Sequence, residues 1–207
     1  MAMRKINEIF ESIQGEGCHT GVPSVFVRFS GCNLNCSFCD TRHEEGEWMT
    51  DEEIISEIRK YKAGMIVLTG GEPSLQIDEE FILKLKQQTG KFIAIETNGT
   101  REIPEGIDWV TVSPKFGMGH GDGEKVTGNA SINIQHIDEL KVVDIGQDLE
   151  QYFTIPGVIK STPMLLQPCY SDDEDERERN TRRTIGRVLE DPRWRLSLQT
   201  HRYLGVR

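Results

Sequence analysis

Short apolar runs recur along this chain, and almost every one stops in a polar stretch containing Gly or Pro. Val25-Phe26-Val27-Arg28-Phe29 runs into a cysteine-containing loop that starts at Gly31. Met65-Ile66-Val67-Leu68 stops at Thr69-Gly70-Gly71-Glu72-Pro73, and Phe92-Ile93-Ala94-Ile95 at Glu96-Thr97-Asn98-Gly99. Asp108-Trp109-Val110-Thr111-Val112 stops at Ser113-Pro114-Lys115, and Leu140-Lys141-Val142-Val143 at Asp144. Met164-Leu165-Leu166 stops at Gln167-Pro168-Cys169-Tyr170, and Arg195-Leu196-Ser197-Leu198 at Gln199-Thr200-His201. Runs this short and this β-branched read as buried strands. Helical signals separate some of them. Thr50 and Glu53 have capping-box spacing, with acid in the first turn and an apolar stripe of Ile54, Ile55 and Ile58 behind it. Phe81, Ile82 and Leu85 share one face of a second helix. Strands alternating with helices or loops argue for parallel βα units, whose ligand site lies at the carboxyl ends of the strands.

Eight full units take about 250 residues. A chain of 207, with several connections too brief for a helix, predicts one α/β domain over residues 1–207. Its expected form is an open, incomplete βα barrel of about six parallel strands. Residues 4–20 read as a short strand or hairpin with a polar turn at Gln14-Gly15-Glu16-Gly17. The acidic run Ser171–Glu176 reads as a solvated loop and helix N-terminus.

A hydrophobic fraction of 36% and a charged fraction of 28% are those of a soluble globular chain. No apolar run is long enough to span a bilayer, which argues against a membrane protein. Met1-Ala2-Met3-Arg4-Lys5 does not open a signal peptide, so a cytoplasmic location is expected. The formal net charge of −10, with no basic stripe, argues against a nucleic-acid partner.

Gly31-Cys32-Asn33-Leu34-Asn35-Cys36-Ser37-Phe38-Cys39-Asp40-Thr41 concentrates the chemistry. Three cysteines in C-x3-C-x2-C spacing converge on one point. A closed zinc site would need four ligands, usually as two short pairs, and the local count stops at three. A cubane iron–sulfur cluster on three thiolates would leave one iron open to another ligand. Disulfide pairing is a third reading, disfavoured by an odd total of five cysteines.

The spacing, with an aromatic before the last cysteine, resembles the radical S-adenosylmethionine (SAM) superfamily signature. That resemblance implies a 4Fe–4S cluster on Cys32, Cys36 and Cys39. Its open iron would chelate the amino and carboxylate groups of SAM, and reductive C–S cleavage would give a 5′-deoxyadenosyl radical. Gly70-Gly71-Glu72-Pro73 resembles the superfamily stretch that contacts the SAM amino group.

A longer set of motifs is similar to the 7-carboxy-7-deazaguanine synthase family. It comprises Phe10–Gly17, Val27-Arg28-Phe29, the cysteine loop through Thr41, Thr69–Pro73, Glu96–Gly99, Ser113-Pro114-Lys115 and Leu198–His201. These run from the first strand to the last. The resemblance implies conversion of 6-carboxy-5,6,7,8-tetrahydropterin to 7-carboxy-7-deazaguanine, with ring contraction and ammonia release, on the route to queuosine. It further implies catalytic use of SAM, a Mg²⁺ requirement, a homodimer, and an electron-donor protein such as a flavodoxin.

Residue by residue, it implies substrate contacts at Ile13, Gln14, Gly15, Glu16, Arg28 and Thr69, with His201 a weaker candidate. SAM contacts carry over to Phe38, Cys39, Asp40, Gly71, Ser113, Pro114, Lys115, Gln167, Pro168, Cys169 and Tyr170. Thr41 carries over as a Mg²⁺ ligand. The side chains suit the substrate. Arg28 offers a planar fork to a carboxylate, and Gln14 and Glu16 can accept from the amino and ring N–H groups of a pterin. Two departures stand out. The cysteine spacing is the short superfamily form, and the chain ends Gly205-Val206-Arg207 where some members end in proline. Rival readings are a glycyl-radical-enzyme activase acting on a protein, and a non-enzymatic iron–sulfur or zinc module.

Overall fold

The computed structural model describes residues 2–39, 45–117, 119–120 and 132–207. Strand β1 (Met3–Ile13) folds back on β2 (Pro23–Phe29) as an antiparallel hairpin. Of residues 4–20, expected as a short strand or hairpin, the first part is a single long strand, and its hairpin partner is the apolar run 25–29 beyond that range. Strand β3 (Leu34–Asn35) lies in the cysteine loop, and β4 (Glu47–Thr50) pairs antiparallel with β1. Next come β5 (Met65–Gly70), β6 (Phe92–Thr97) and β7 (Trp109–Val112). A two-residue β8 (Gly119–His120) pairs with β3. The last three strands are β9 (Glu139–Asp144), β10 (Met164–Pro168) and β11 (Trp194–Leu196). Helices α1 (Asp51–Ile58), α2 (Glu79–Thr89), α3 (Glu174–Glu190) and α4 (Thr200–Leu204) complete the description.

The main sheet runs β11-β10-β9-β7-β6-β5-β2-β1-β4. Seven neighbours, from β2 to β11, are parallel, one more than expected. The last of them is the short β11. It starts at Trp194 and stops before Ser197, so the expected strand over 195–198 is shifted by one residue at its start. The two end strands do not pair with each other, and the barrel is open, as its length requires.

Period-2 alternation divides the sheet. Val25, Val27, Phe29, Ile66, Leu68, Ile93 and Ile95 point to one face, against Ile54, Ile58, Phe81 and Leu85 of α1 and α2. Each such fully buried side chain contributes about 2 kcal/mol of transfer free energy. On the other face, Phe26, Met65, Val67 and Ala94 form a second apolar cluster, with Phe10 stacked on Phe26 at 5.1 Å. Nearer the carboxyl ends that face turns polar, with Arg28, Thr69 and Glu96 on the same strands and Lys141 and Gln167 on β9 and β10. The apolar layer is the floor, and the polar layer above it is the working surface.

Local signals fold as their chemistry dictates. The Thr50 hydroxyl accepts from Glu53 N–H, and the Glu53 carboxylate accepts from Thr50 N–H, so the capping box opens α1. The acidic run forms the first turn of α3, capped by Asp173. Helix α3 is tied to β9 through Asp144, which is 0% exposed. That carboxylate accepts from Gly146 N–H (3.0 Å), the Thr184 hydroxyl (2.9 Å) and the Arg187 guanidinium (2.5 Å). Burial raises its pKa, but these donors outweigh burial and hold it below the usual range. Asp144→Ala leaves partly buried arginine without its counter-charge. It is expected to destabilise the fold by about 3 kcal/mol, seen as a lower urea midpoint at unchanged slope.

Candidate active site

A cavity of about 470 Å³ opens at the carboxyl ends of the parallel strands. The turn after β1 contributes Ile13, Gln14, Gly15 and Glu16 to its wall, and β2 contributes Arg28. The cysteine loop adds Cys32, Cys36, Phe38 and Cys39, and the end of β5 adds Thr69 and Gly71. Ser113 and Lys115 come from the end of β7, and Gln167, Pro168, Cys169 and Tyr170 from the end of β10. Residues scattered over the chain thus meet in one place. Pro114, between Ser113 and Lys115, is buried and does not line the cavity. Asp40 and Thr41 lie outside the described residues.

The cysteine loop is held by backbone contacts with the strand ends. Gly71 N–H donates to Phe29 C=O (2.9 Å), and Glu72 N–H to Gly31 C=O (2.8 Å). Gly70 has φ +121°, and a Cβ there would run into the backbone of Phe29, so only glycine lets the two loops approach. The buried Glu72 carboxylate accepts from Ser74 N–H (3.0 Å), the Thr97 hydroxyl (2.6 Å) and Asn98 N–H (2.7 Å). It thereby locks the end of β5 to the end of β6. Asn98 then donates to Asn33 (3.0 Å), and Asn33 to Thr100 (2.9 Å), which anchors the loop from its other side.

The described cysteines are all free thiols, so the disulfide reading does not hold. Burial raises the Cys32 pKa, and the neighbouring Glu72 and Cys39 raise it further, against the Lys115 ammonium. Cys36 is raised by burial and by Cys32 and Cys39, again opposed by Lys115. Among the described residues, these thiols crowd one another beside the Lys115 ammonium. Such a donor set suits a cationic iron–sulfur core. Leu34 N–H already points at the Cys32 sulfur (3.4 Å). Among the described residues, no three Cys, His, Asp or Glu side chains form a group that could hold a metal ion as the chain stands. Lys115 donates to Ser113 (2.6 Å) and lies 5.8 Å from the Phe38 ring centroid, joining the end of β7 to the cysteine loop.

One end of the cavity is acidic. The Glu16 carboxylate accepts from Lys141 Nζ (2.6 Å) and Gln199 Nε2 (2.8 Å). Glu96 accepts from the same ammonium (3.1 Å), from Gln14 (3.1 Å) and from the Thr69 hydroxyl (3.1 Å). Burial would raise Glu16, but the Lys141 charge and the Lys141 and Gln199 hydrogen bonds prevail and hold it down at about 2. Lys141 is raised: burial opposes its charge, and Glu16 and Glu96 outweigh that. Helix α4 braces the turn, where Thr200 donates N–H and hydroxyl to Gly15 C=O (both 2.9 Å). His201 also lines the cavity, and its ring fills the space a Cβ on Gly15 would need.

Another part of the wall is cationic. Arg28 donates from Nε to Glu8 (2.9 Å), and Arg207 pairs with the same carboxylate. Both guanidinium groups lie over the Phe10 ring, at 5.9 and 4.6 Å. The fork expected to be open to a ligand is therefore partly engaged by the chain's own acid.

Sequence reasoning did not single out Glu8, Lys141 or Arg207 as site residues, and it left Glu96 balanced between turn and ligand contact. A signal for Lys141 was present. A cation inside an apolar strand is the same anomaly that singled out Arg28.

The relatives agree with this geometry. The 7-carboxy-7-deazaguanine synthase of Bacteroides thetaiotaomicron is 52% identical over 205 residues, covering 99% of this chain and all of that one. The chain belongs to the 7-carboxy-7-deazaguanine synthase family. The synthase of Haemophilus influenzae is 36% identical, covering 97% of this chain and 93% of its own. Residues 26–116 match the radical SAM superfamily. The crystal structure of QueE from Escherichia coli superposes with a TM-score of 0.73 at 28% identity, over 95% of this chain and 93% of that one. Membership of the synthase family makes this a radical SAM enzyme, a class that works with a 4Fe–4S cluster and SAM. The activase and non-enzymatic readings find no support among these relatives.

A folded Glu16 pKa near 2, against an unfolded value near 4.5, has a definite sign. The stability from this carboxylate is complete above about pH 4.5 and is lost as pH falls toward 2. Glu16→Gln is expected to flatten the unfolding free energy in that window; urea titrations of both proteins between these limits check it.

Proposed function

We propose that this enzyme converts 6-carboxy-5,6,7,8-tetrahydropterin to 7-carboxy-7-deazaguanine and ammonia, the lyase step that leads to queuosine and other deazapurines. The observation that carries this reading is the bipolar cavity. Guanidinium groups and a pair of half-buried carboxylates line one chamber with the three thiols. A tetrahydropterin acid has the matching polarity, a carboxylate on one ring and an amino-pyrimidinone edge rich in N–H donors on the other.

In this reading Arg28 takes the substrate carboxylate through charge-assisted hydrogen bonds, and Glu8 is the acid it leaves. Gln14 and Glu16 take the N–H edge, with Ile13, Gly15 and Thr69 shaping the pocket around it. Cys32, Cys36 and Cys39 hold the 4Fe–4S cluster. Phe38, Asp40, Gly71, Ser113, Pro114, Lys115 and the segment 167–170 surround SAM. Together, cluster and SAM supply the one-electron chemistry that starts the rearrangement. The substrate's atoms equal those of product plus ammonia, so no net oxidation occurs and SAM serves as a catalyst. The protein's own work is to orient the ring and keep water from reactive species.

Mg²⁺ is held by Thr41 together with oxygen atoms of the substrate, since a hard dication needs more than one hydroxyl. The enzyme works in the cytoplasm as a homodimer and takes electrons from a protein donor such as a flavodoxin.

The test is an anaerobic turnover assay with the pterin, SAM, a reductant and Mg²⁺, following product mass. Formation of 7-carboxy-7-deazaguanine with SAM unconsumed supports the proposal. SAM cleavage without any change in the pterin would refute it. Arg28→Ala is expected to raise KM by about tenfold or more, the worth of a charged hydrogen bond, with Arg28→Lys recovering part of the loss. Thr41→Ala is expected to weaken the Mg²⁺ dependence of turnover; an unchanged Mg²⁺ titration would remove Thr41 from the site.

A further inference from the structure

Lys141 stands where a strand in this sheet should be apolar or uncharged. Its side chain is 6% exposed, and its flanking residues Leu140 and Val142 are buried in the core. An ammonium in such a place is costly unless carboxylates surround it. Here they do. Glu16 approaches from the turn after β1 at 2.6 Å and Glu96 from β6 at 3.1 Å. Glu139, two residues back on β9, adds a third negative charge nearby. On the far side of Glu16, His201 of α4 adds a weaker positive influence.

None of these acids has a second lysine or arginine at ion-pair distance among the described residues. Glu139 is satisfied by neutral donors instead, Cys18 N–H (2.7 Å) and the Thr111 hydroxyl (3.0 Å). One ammonium therefore serves two carboxylates that both face the cavity.

We infer that Lys141 is a positioning residue, whose ammonium fixes the orientation of Glu16 and Glu96 and cancels one of their two charges. The inference rests on the substrate reading above, because its purpose is to present acceptors to an N–H-rich edge. An ionised carboxylate has about four acceptor sites. The contacts with Lys141, Gln14, Thr69 and Gln199 occupy part of that capacity and aim the rest inward. With the lysine in place, both groups remain acceptors at neutral pH and the pair keeps one net negative charge. Without it, two carboxylates within reach of the same nitrogen would face each other in a poorly solvated site. Such a pair retains a proton, and one acceptor becomes a donor. A donor opposite the N–H edge of the ligand is a mismatch, and the edge loses both a hydrogen bond and a favourable charge.

The sign of the pH effect follows. In the unaltered protein Glu16 titrates at about 2, far below the working range, so its charge is constant there. In Lys141→Met the retained proton leaves only as pH rises, so ligand binding should be weak near pH 6 and recover toward pH 9. His201 acts on Glu16 in both proteins, and Lys141→Arg, which keeps the charge, is the control for its titration.

The experiment is anaerobic equilibrium binding of 6-carboxy-5,6,7,8-tetrahydropterin to the cluster-loaded protein with SAM, at about pH 6 and about pH 9. Lys141→Met is expected to bind about ten- to a hundredfold more weakly at the lower pH, and to regain part of that at the higher. Lys141→Arg, which keeps the charge, should stay within about tenfold of the unaltered protein at both. Equal binding by Lys141→Met with an unchanged pH profile would overturn the inference. Should that variant not fold, ¹³C-carboxyl titration of the unaltered chain decides. Glu16 and Glu96 signals constant between about pH 5 and 8 support the role, and a titration of either within that range overturns it. If the unaltered protein does not bind the pterin, the proposed substrate falls, and the carboxyl titration still judges Lys141.

Discussion

The close approach of Gly70 and Gly71 to Phe29 is the contact on which the site depends. Two neighbouring parallel strands end side by side, and the chain beyond each must leave without colliding with the other. A glycine at φ +121° and a backbone hydrogen bond to Phe29 C=O solve that problem. They also fix where the cysteine loop begins. From there, Glu72 ties the ends of β5 and β6, and Asn98 and Asn33 carry the connection back to the cysteines. Thiols on a loop are only as well placed as the strands beneath them. Here a buried carboxylate and two side-chain amides pass the rigidity of the sheet into the loop.

The polarity of the cavity is a second consequence of the same sheet. Alternation places every other side chain on the cavity face, and the change from apolar to polar occurs at one level across several strands. Phe26, Met65, Val67 and Ala94 sit below it. Arg28, Thr69, Glu96, Lys141 and Gln167 sit above. Neither layer alone makes a binding site. The lower one excludes water, and that exclusion gives the charges above it their strength.

Much of this was legible in the chain because the signals are local. The capping box at Thr50 and Glu53, the apolar stripes of α1 and α2, and the strand-end motifs are each complete within a few residues. So is the three-cysteine spacing. What could not be read depends on partners far apart in sequence. Lys141 and Glu16 are separated by 125 positions, and nothing near either names the other. Arg28 could be named from its own motif, yet its resting partner Glu8 lies across a hairpin. Strand β11 was legible as the run over 195–198, although it spans only three residues and its side chains Arg195 and Leu196 are exposed.

The unclosed sheet has an effect away from the cavity. Its two outermost strands, β4 and β11, span four and three residues. Each leaves a row of peptide groups that another polypeptide could use as a template, the usual route to runaway intermolecular β pairing. Rows this brief, one bearing Glu47 and the other Arg195, make poor templates. Evolution can therefore leave the barrel unfinished without inviting aggregation.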